Sequence, residues 1–344
     1  MKRLLLTGIG GFIGSHCLEY FLENTDWEII GIDSFKHKGD LARFSDIDFR
    51  NRCKIYYHDL NIPITEPLYN QITDAKLDIS GNLVRKKIDY IVNMASDSAV
   101  ERSVSDPVHC LKNNYDLAIN MLEFARKIKP EKFLQISTDE VYGEASKETN
   151  GHHEWDVIMP SNPYAASKAA QEAVAISYWR SFDVPVVIIN TMNIIGEKQN
   201  PEKFLPKIIK KIYMNEEMPI YAENESEIGK RFYIDVRNKA DALLFILKRP
   251  IATYKEGAKR PDRWNVCGDK ELNNLEFAQQ IAKIMNKDLL YKFVPSESAR
   301  PGYDRRYALD GSKLKNAGWK PPYSFEQSLE RIVNWTVNNS NWIY

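Results

Sequence analysis

Two adjacent carboxylates beside a hydroxyl, and a tyrosine one helical turn from a lysine, are the residues of this chain best suited to moving protons. The first set lies in Ser137-Thr138-Asp139-Glu140-Val141-Tyr142-Gly143, directly after the apolar run Phe133-Leu134-Gln135-Ile136. That places a hydroxyl pair and two adjacent carboxylates at a strand end, where a substrate would lie in a doubly wound fold. The second set is Tyr164 and Lys168, four residues apart in a helix-like segment and therefore on one face of it. A free tyrosine titrates near ~10, and acting as a base near neutrality requires a drop of about 3 units, roughly 4 kcal/mol. The neighbouring ammonium supplies only part of that.

A second source of positive charge is implied by the start of the chain. Thr7-Gly8-Ile9-Gly10-Gly11-Phe12-Ile13-Gly14 joins the apolar residues 4–6 to a helix-like segment. Gly8, Gly11 and Gly14 suit, in turn, a tight turn, backbone close to a pyrophosphate, and tight packing of helix on strand. The helix N-terminus then faces the phosphates. A second strand-like run, residues 28–32, ends in Asp33, at the distance expected of a carboxylate that grips an adenosine ribose. That carboxylate favours NAD over NADP, a preference softened by Lys36 and Lys38 nearby. Oxidised nicotinamide carries the positive charge that Tyr164 needs.

The elements that must position these groups alternate. Apolar runs at 3–7, 27–32, 53–57, 90–94, 133–137 and 184–189 are separated by helix-period segments, which argues for a parallel sheet with helices on both faces. Residues 108–127 and 163–181 read as long helices. After Gly196 the chain becomes Pro-punctuated and rich in Lys and aromatic residues, as a smaller carboxy-terminal lobe would be. The expected fold class is α/β, a Rossmann-type doubly wound parallel sheet with a smaller α/β substrate lobe. Residues 1–190 with about 235–265 form the nucleotide-binding domain, and 191–234 with 266–344 the lobe. Residues 238–247 read as an amphipathic helix that packs back on the first domain, and 263–266 as a strand.

With 47 basic and 47 acidic residues among 344, the chain carries no net charge and no long run of one sign, which argues against a nucleic-acid groove or an anionic membrane surface. Cys17, Cys53, Cys110 and Cys267 show neither Cys-x-x-Cys pairing nor zinc-ligand spacing, so buried free thiols and no metal site are expected. His152-His153 reads as a solvated loop pair. No apolar run approaches the roughly 18 residues of a membrane span, and the expected setting is cytoplasmic.

Taken together, these motifs resemble those of the extended short-chain dehydrogenases/reductases, and most closely the dTDP-glucose 4,6-dehydratase group of sugar-nucleotide enzymes. Ser137 to Gly143 matches that group's signature letter for letter. Asn162-Pro163-Tyr164-Ala165-Ala166-Ser167-Lys168, Pro201-Glu202-Lys203 and Arg300-Pro301-Gly302-Tyr303-Asp304-Arg305-Arg306-Tyr307 resemble its catalytic-helix and substrate-lobe segments. The resemblance implies bound NAD, contacted by Gly8, Gly11, Phe12, Ile13, Gly14, Asp33, Asp59, Leu60, Ala95 and Asn114 as well as Tyr164 and Lys168. It implies an internal redox cycle on a nucleotide-diphosphate sugar. Tyr164 takes the proton of the sugar O4 as hydride leaves C4, Glu140 removes the C5 proton, Asp139 protonates the departing O6, and hydride returns to C6. Thr138 is the partner of O4, with Ser96, Asp97 and Ser98 on the matching loop after the fourth strand. Arg231, Asn193, Asn265 and Arg300 are expected at the substrate diphosphate, which calls for guanidinium forks and amide donors, with Lys203 and Tyr303 nearby. The resemblance also implies a homodimer in which the two long helices pair across a two-fold into a four-helix bundle.

Departures fall at Asn190, where Arg is usual, at Ile195 for Tyr, at Ala99 for His and at Tyr303 for His. They put the base, the sugar configuration and the C2 substituent in question and leave the redox and elimination residues intact. A 4-epimerase or decarboxylase would keep Tyr164 but has no use for Asp139 beside Glu140. A non-catalytic NAD-binding protein would have no need of the full set.

Overall fold

The computed structural model describes residues 1–295 and 301–344. The chain divides into two compact units: Met1–Ser137 with Pro163–Ile189 and Leu244–Trp264, and Thr138–Asn162 with Asn190–Leu243 and Asn265–Tyr344. Residues 138–162 and 235–243, grouped with the nucleotide-binding part on sequence grounds, cluster with the second unit.

A seven-stranded sheet organises the first unit. Its order is Asp262–Val266, Val186–Thr191, Lys132–Ile136, Tyr90–Asn93, Arg3–Thr7, Glu28–Asp33, Cys53–Tyr57. From Arg3–Thr7 the chain moves outward to Cys53–Tyr57, then returns to pair Tyr90–Asn93 on the opposite edge of the first strand. Thr7 lies in parallel register with both Ile32 and Asn93. Strand order therefore reverses at Arg3–Thr7, and in open α/β sheets ligands bind beyond the carboxyl ends of the strands at such a switch point. Leu4, Leu5, Leu6, Ile29, Ile30, Ile91, Val187 and Ile188 are fully buried. Covered on both faces, these strands read as continuous apolar runs and not as alternating ones.

Helices Phe12–Asn24, Pro107–Ile128 and Pro163–Phe182 belong to the same unit. Pro107 opens its helix where a missing N–H costs nothing, the Asp106 carboxylate accepts from His109 N, and Lys129 ends it in a left-handed conformation. The two long helices agree with the sequence expectation to within a residue at each end. The helix expected over 238–247 runs Val236–Lys248, divided between the units after Leu243.

The second unit has its own core, in which Ile208, Ile209, Phe277, Ile281, Ile332 and Val333 are buried together. Around it stand the helices Phe204–Tyr213, Asn274–Met285 and Phe325–Asn338. A three-stranded sheet orders Glu271–Asn273, Lys230–Asp235 and Asn193–Ile195. All four cysteines are free thiols, Cys17 and Cys110 buried and Cys53 and Cys267 half-buried. No helix among the described residues is long and apolar enough to cross a membrane.

Candidate active site

The glycine turn is built by close approach. Gly8 sits at φ 70, where a Cβ would lie 3.0 Å from Ala95 Cα, and at Gly14 a Cβ would fall 2.1 Å from the Gly8 carbonyl oxygen. Only hydrogen fits at either place. The helix that follows opens at Phe12 with no side-chain cap, which leaves first-turn N–H groups for an anionic ligand. Gly10, which the three-residue glycine spacing passes over, also takes part: its N–H donates to Asp33 Oδ2 at 2.8 Å. Phe35 N donates to Asp33 Oδ1 at 2.8 Å. Each carboxylate oxygen keeps a lone pair for a hydroxyl, so the turn, the open helix end and Asp33 fit the pyrophosphate and ribose of a dinucleotide. Lys36 pairs with Asp59 and so does not present an uncompensated ammonium. Leu60 is buried in the core.

In the same unit a chain of buried amides runs from this turn to the helix that carries Tyr164 and Lys168. Thr7 Oγ1 accepts from Ala95 N and donates to Asn93 Oδ1 at 2.8 Å. Asn93 Nδ2 donates to Gln135 Oε1 at 2.9 Å, and Gln135 Nε2 to Gln171 Oε1 at 3.0 Å. Gln171 Oε1 also accepts from Lys168 Nζ at 2.6 Å, while its Nε2 donates to the Asn114 carbonyl at 2.6 Å. The Asn114 side chain accepts from Asp97 N and donates to Asp97 O and to Ser167 Oγ. Tyr164 is anchored at its backbone, its N–H donating to Ser103 Oγ at 3.2 Å. Ser96 and Ser98 are half-buried on the Asp97 loop. Gln171 escaped the sequence reading because an amide one turn past Lys168 carries no motif, and Gln135 read only as part of an apolar strand.

In the second unit Thr138 caps a short 3-10 turn, Asp139–Tyr142, and donates to Asp139 Oδ1 at 3.0 Å. Asp139 is 5 % exposed, and its Oδ2 has no partner among the described residues. Burial, with the Glu140 charge adding, pushes its carboxyl up to about 7. Glu140 is half-buried and differently supported: its Oε2 accepts from Asn162 Nδ2 at 2.9 Å and from the Tyr307 hydroxyl at 3.4 Å. One backbone turn therefore holds a buried carboxyl that stays protonated toward neutrality and a half-buried one that accepts from two donors. Asn162 and Tyr307 both lie inside quoted motifs, yet spacing alone gave them no role.

Arg231, expected at a diphosphate, donates to the backbone carbonyls of Lys230, Asp304 and Arg305. Its guanidinium carbon lies 4.4 Å from the Tyr307 ring centroid and 5.5 Å from that of Tyr303. Asn265 is fully buried and donates to the His152 and Asp310 carbonyls, with Oδ1 unpartnered among the described residues. Asn193 Nδ2 is likewise buried without a partner among them, and Lys203 stands at the N-cap of Phe204–Tyr213. Arg300 lies outside the described residues. Of the departures, Asn190 is fully buried and donates to the Thr138 carbonyl at 3.0 Å. Ile195 joins the second unit's core, Ala99 caps the short helix Val100–Ser105, and Tyr303 bonds Asn274. His152 corrects the expectation of a solvated pair: its ring stacks on Tyr142 with centroids 5.2 Å apart, because residue 152 bridges to Leu309 and is drawn inward.

Residues 5–332 match the family model described as GDP-mannose 4,6 dehydratase. A dTDP-glucose 4,6-dehydratase of Shigella flexneri is 29% identical over 369 residues, covering 99% of this chain and 94% of that protein. The low-salt glycan biosynthesis protein Agl12 of Haloferax volcanii is 33% identical over 338 residues, covering 98% and 99%. Among solved structures, DesIV of Streptomyces venezuelae, a dTDP-glucose 4,6-dehydratase with NAD bound, superposes with a TM-score of 0.83 at 26% identity, covering 99% of this chain and 98% of that one. The dTDP-glucose 4,6-dehydratase of Bacillus anthracis in complex with NAD gives 0.82 at 26% with the same coverage. Match of the family model over nearly the whole length, on a doubly wound sheet, means that this chain belongs to the GDP-mannose 4,6 dehydratase family of extended short-chain dehydrogenases/reductases.

Proposed function

We propose that the protein is a 4,6-dehydratase of a dTDP- or UDP-glucose-like nucleotide sugar, releasing water and the 4-keto-6-deoxy sugar nucleotide. The observation that carries this reading is the unequal pair Asp139 and Glu140. Asp139, buried and with its carboxyl raised to about 7, holds a proton for the leaving O6 hydroxyl. Glu140, whose Oε2 accepts from Asn162 and Tyr307, takes the C5 proton made acidic by a 4-ketone. Thr138 is the hydrogen-bond partner for the sugar O4, and Tyr164, with Lys168 on the same helix face, takes the O4 proton. Gly8, Gly11, Phe12, Ile13, Gly14, Asp33, Asp59, Leu60, Ala95 and Asn114 hold NAD, which when bound supplies the acceptor of hydride from C4 and its donor to C6. Substrate contacts come from Ser96, Asp97, Ser98, Asn193, Lys203, Asn265, Arg300 and Tyr303. Arg231 acts on the diphosphate through the segment 304–307 that it braces.

A cytoplasmic homodimer fits this role. Val108, Leu111 and Tyr115 form an exposed apolar face of the helix Pro107–Ile128, and Phe182 ends the helix Pro163–Phe182 equally exposed; such a face supports helix pairing across a two-fold. A 4-epimerase would have no task for the Asp139 proton.

The test is incubation with dTDP-glucose, UDP-glucose, UDP-N-acetylglucosamine, GDP-mannose and CDP-glucose in deuterated water, with products read by mass spectrometry. Loss of one water from one substrate with solvent deuterium at C5 is the expected result. Unchanged mass with inverted C4 would overturn it in favour of epimerisation.

A further inference from the structure

Three side chains with metal-ligating atoms meet in the first unit, from segments no short motif connects: His37 in the loop after Glu28–Asp33, Asp97 in the loop after Tyr90–Asn93, and His109 in the first turn of Pro107–Ile128. An imidazole nitrogen of each histidine and a carboxylate oxygen of Asp97 lie within 4.8 Å of one another. The two rings stand edge to face with centroids 5.9 Å apart; two imidazoles sharing a tetrahedral ion at about 2.0–2.1 Å would place their centroids roughly 5 Å apart. Closing that difference takes under 1 Å or so of side-chain movement by two exposed rings, well within rotamer freedom. We propose that His37, Asp97 and His109 bind one divalent transition-metal ion of the zinc class.

The arrangement is prepared for an ion. Asp97 is 2 % exposed; its Oδ1 accepts from Ala99 N and Arg102, whereas Oδ2 is buried with no partner among the described residues. An orphaned buried carboxylate oxygen is costly unless something fills its coordination. Two of the three ligands sit on fixed backbone. Asn114 holds both the N–H and the carbonyl of Asp97, and the Asp106 side chain caps the N–H of His109. Two imidazoles and one carboxylate select zinc, cobalt, nickel or copper over magnesium and calcium, which prefer oxygen. The bound ion would tie the loop beyond Asp33 to the Asp97 loop. Nothing in the proposed dehydration requires it, so binding and turnover are measured separately.

The test uses untagged, full-length protein stripped of metal by a chelator and titrated with Co2+, following visible d–d absorption, then with Zn2+ to displace it. Saturation at one equivalent is expected, with Zn2+ removing the spectrum and raising Tm by a few degrees by mass action, and Mg2+ doing neither. His37→Ala and His109→Ala should each weaken Co2+ binding by tenfold or more. Their metal-free melting curves should match that of the wild type, and His153→Ala should bind normally. Failure of the wild type to bind Co2+ stoichiometrically, or wild-type affinity in either His37→Ala or His109→Ala, overturns the site.

Discussion

Replacing Asp139 by Asn removes a proton site without changing shape, and the structure sets the consequence. The folded chain holds this carboxyl at about 7 against an ordinary 3.8. Between those values the native state keeps a proton that the unfolded chain has lost, so stability falls as pH rises, by about 1.4 kcal/mol per unit. Stability from this group is fully present below the unfolded value and is lost as pH climbs through about 7. Over the whole interval the change approaches 4 kcal/mol as an upper bound, roughly three units at about 1.4 kcal/mol each. The Asp139→Asn variant has no such dependence, and its amide nitrogen in place of the unpartnered Oδ2 adds a pH-independent cost of about 1–3 kcal/mol. Thermal unfolding of wild type and Asp139→Asn across roughly pH 4.5–8.5, a range set by these values, should therefore show the variant gaining on the wild type by several degrees as pH rises. Since the Glu140 charge is the second cause of the shift, Glu140→Gln should move the wild-type transition to lower pH. Parallel curves for wild type and Asp139→Asn would refute the raised titration, and with it the reason for assigning Asp139 the acid role.

Two further outcomes are expected. Gly14→Ala forces a methyl against the Gly8 carbonyl oxygen, a strain of about 1–3 kcal/mol, so bound NAD recovered from purified protein should fall by roughly tenfold or more and Tm should drop; unchanged NAD content would show that the turn relaxes. Gln171→Leu takes from Lys168 an acceptor at 2.6 Å, a bond to a charged group worth about 1.5–3 kcal/mol. kcat should fall by roughly 10- to 150-fold at constant KM. Unchanged kcat, or a rise in KM alone, would show that Gln171 does not position Lys168.

Much of the fold was legible because its signals are local. The runs at 3–7 and 133–137, the glycine turn and the Tyr164–Lys168 spacing depend on neighbours a few residues away, and backbone geometry carries such spacing unchanged into the folded chain. The limits of the long helices followed for the same reason, to within a residue at each end. Segment membership was harder: Asn190 and Ile195 stand in motif positions, but whether a motif residue faces a ligand or the core is a matter of packing, and both are buried.

By itself the sequence determined the doubly wound architecture, the order of its motifs and the residue types available for proton transfer. Tertiary structure alone decided how each group is tuned. The unequal environments of Asp139 and Glu140 come from burial and from Asn162 and Tyr307, residues 22 and 167 positions away from Glu140. Lys168 owes its acceptor to a helix whose Gln171 meets Gln135 of the sheet, 36 positions earlier. The same holds for His37, Asp97 and His109, whose juxtaposition no spacing rule records. Desolvation, charge pairing and ligand geometry act over a few ångströms in space, and the chain brings those partners together only by folding.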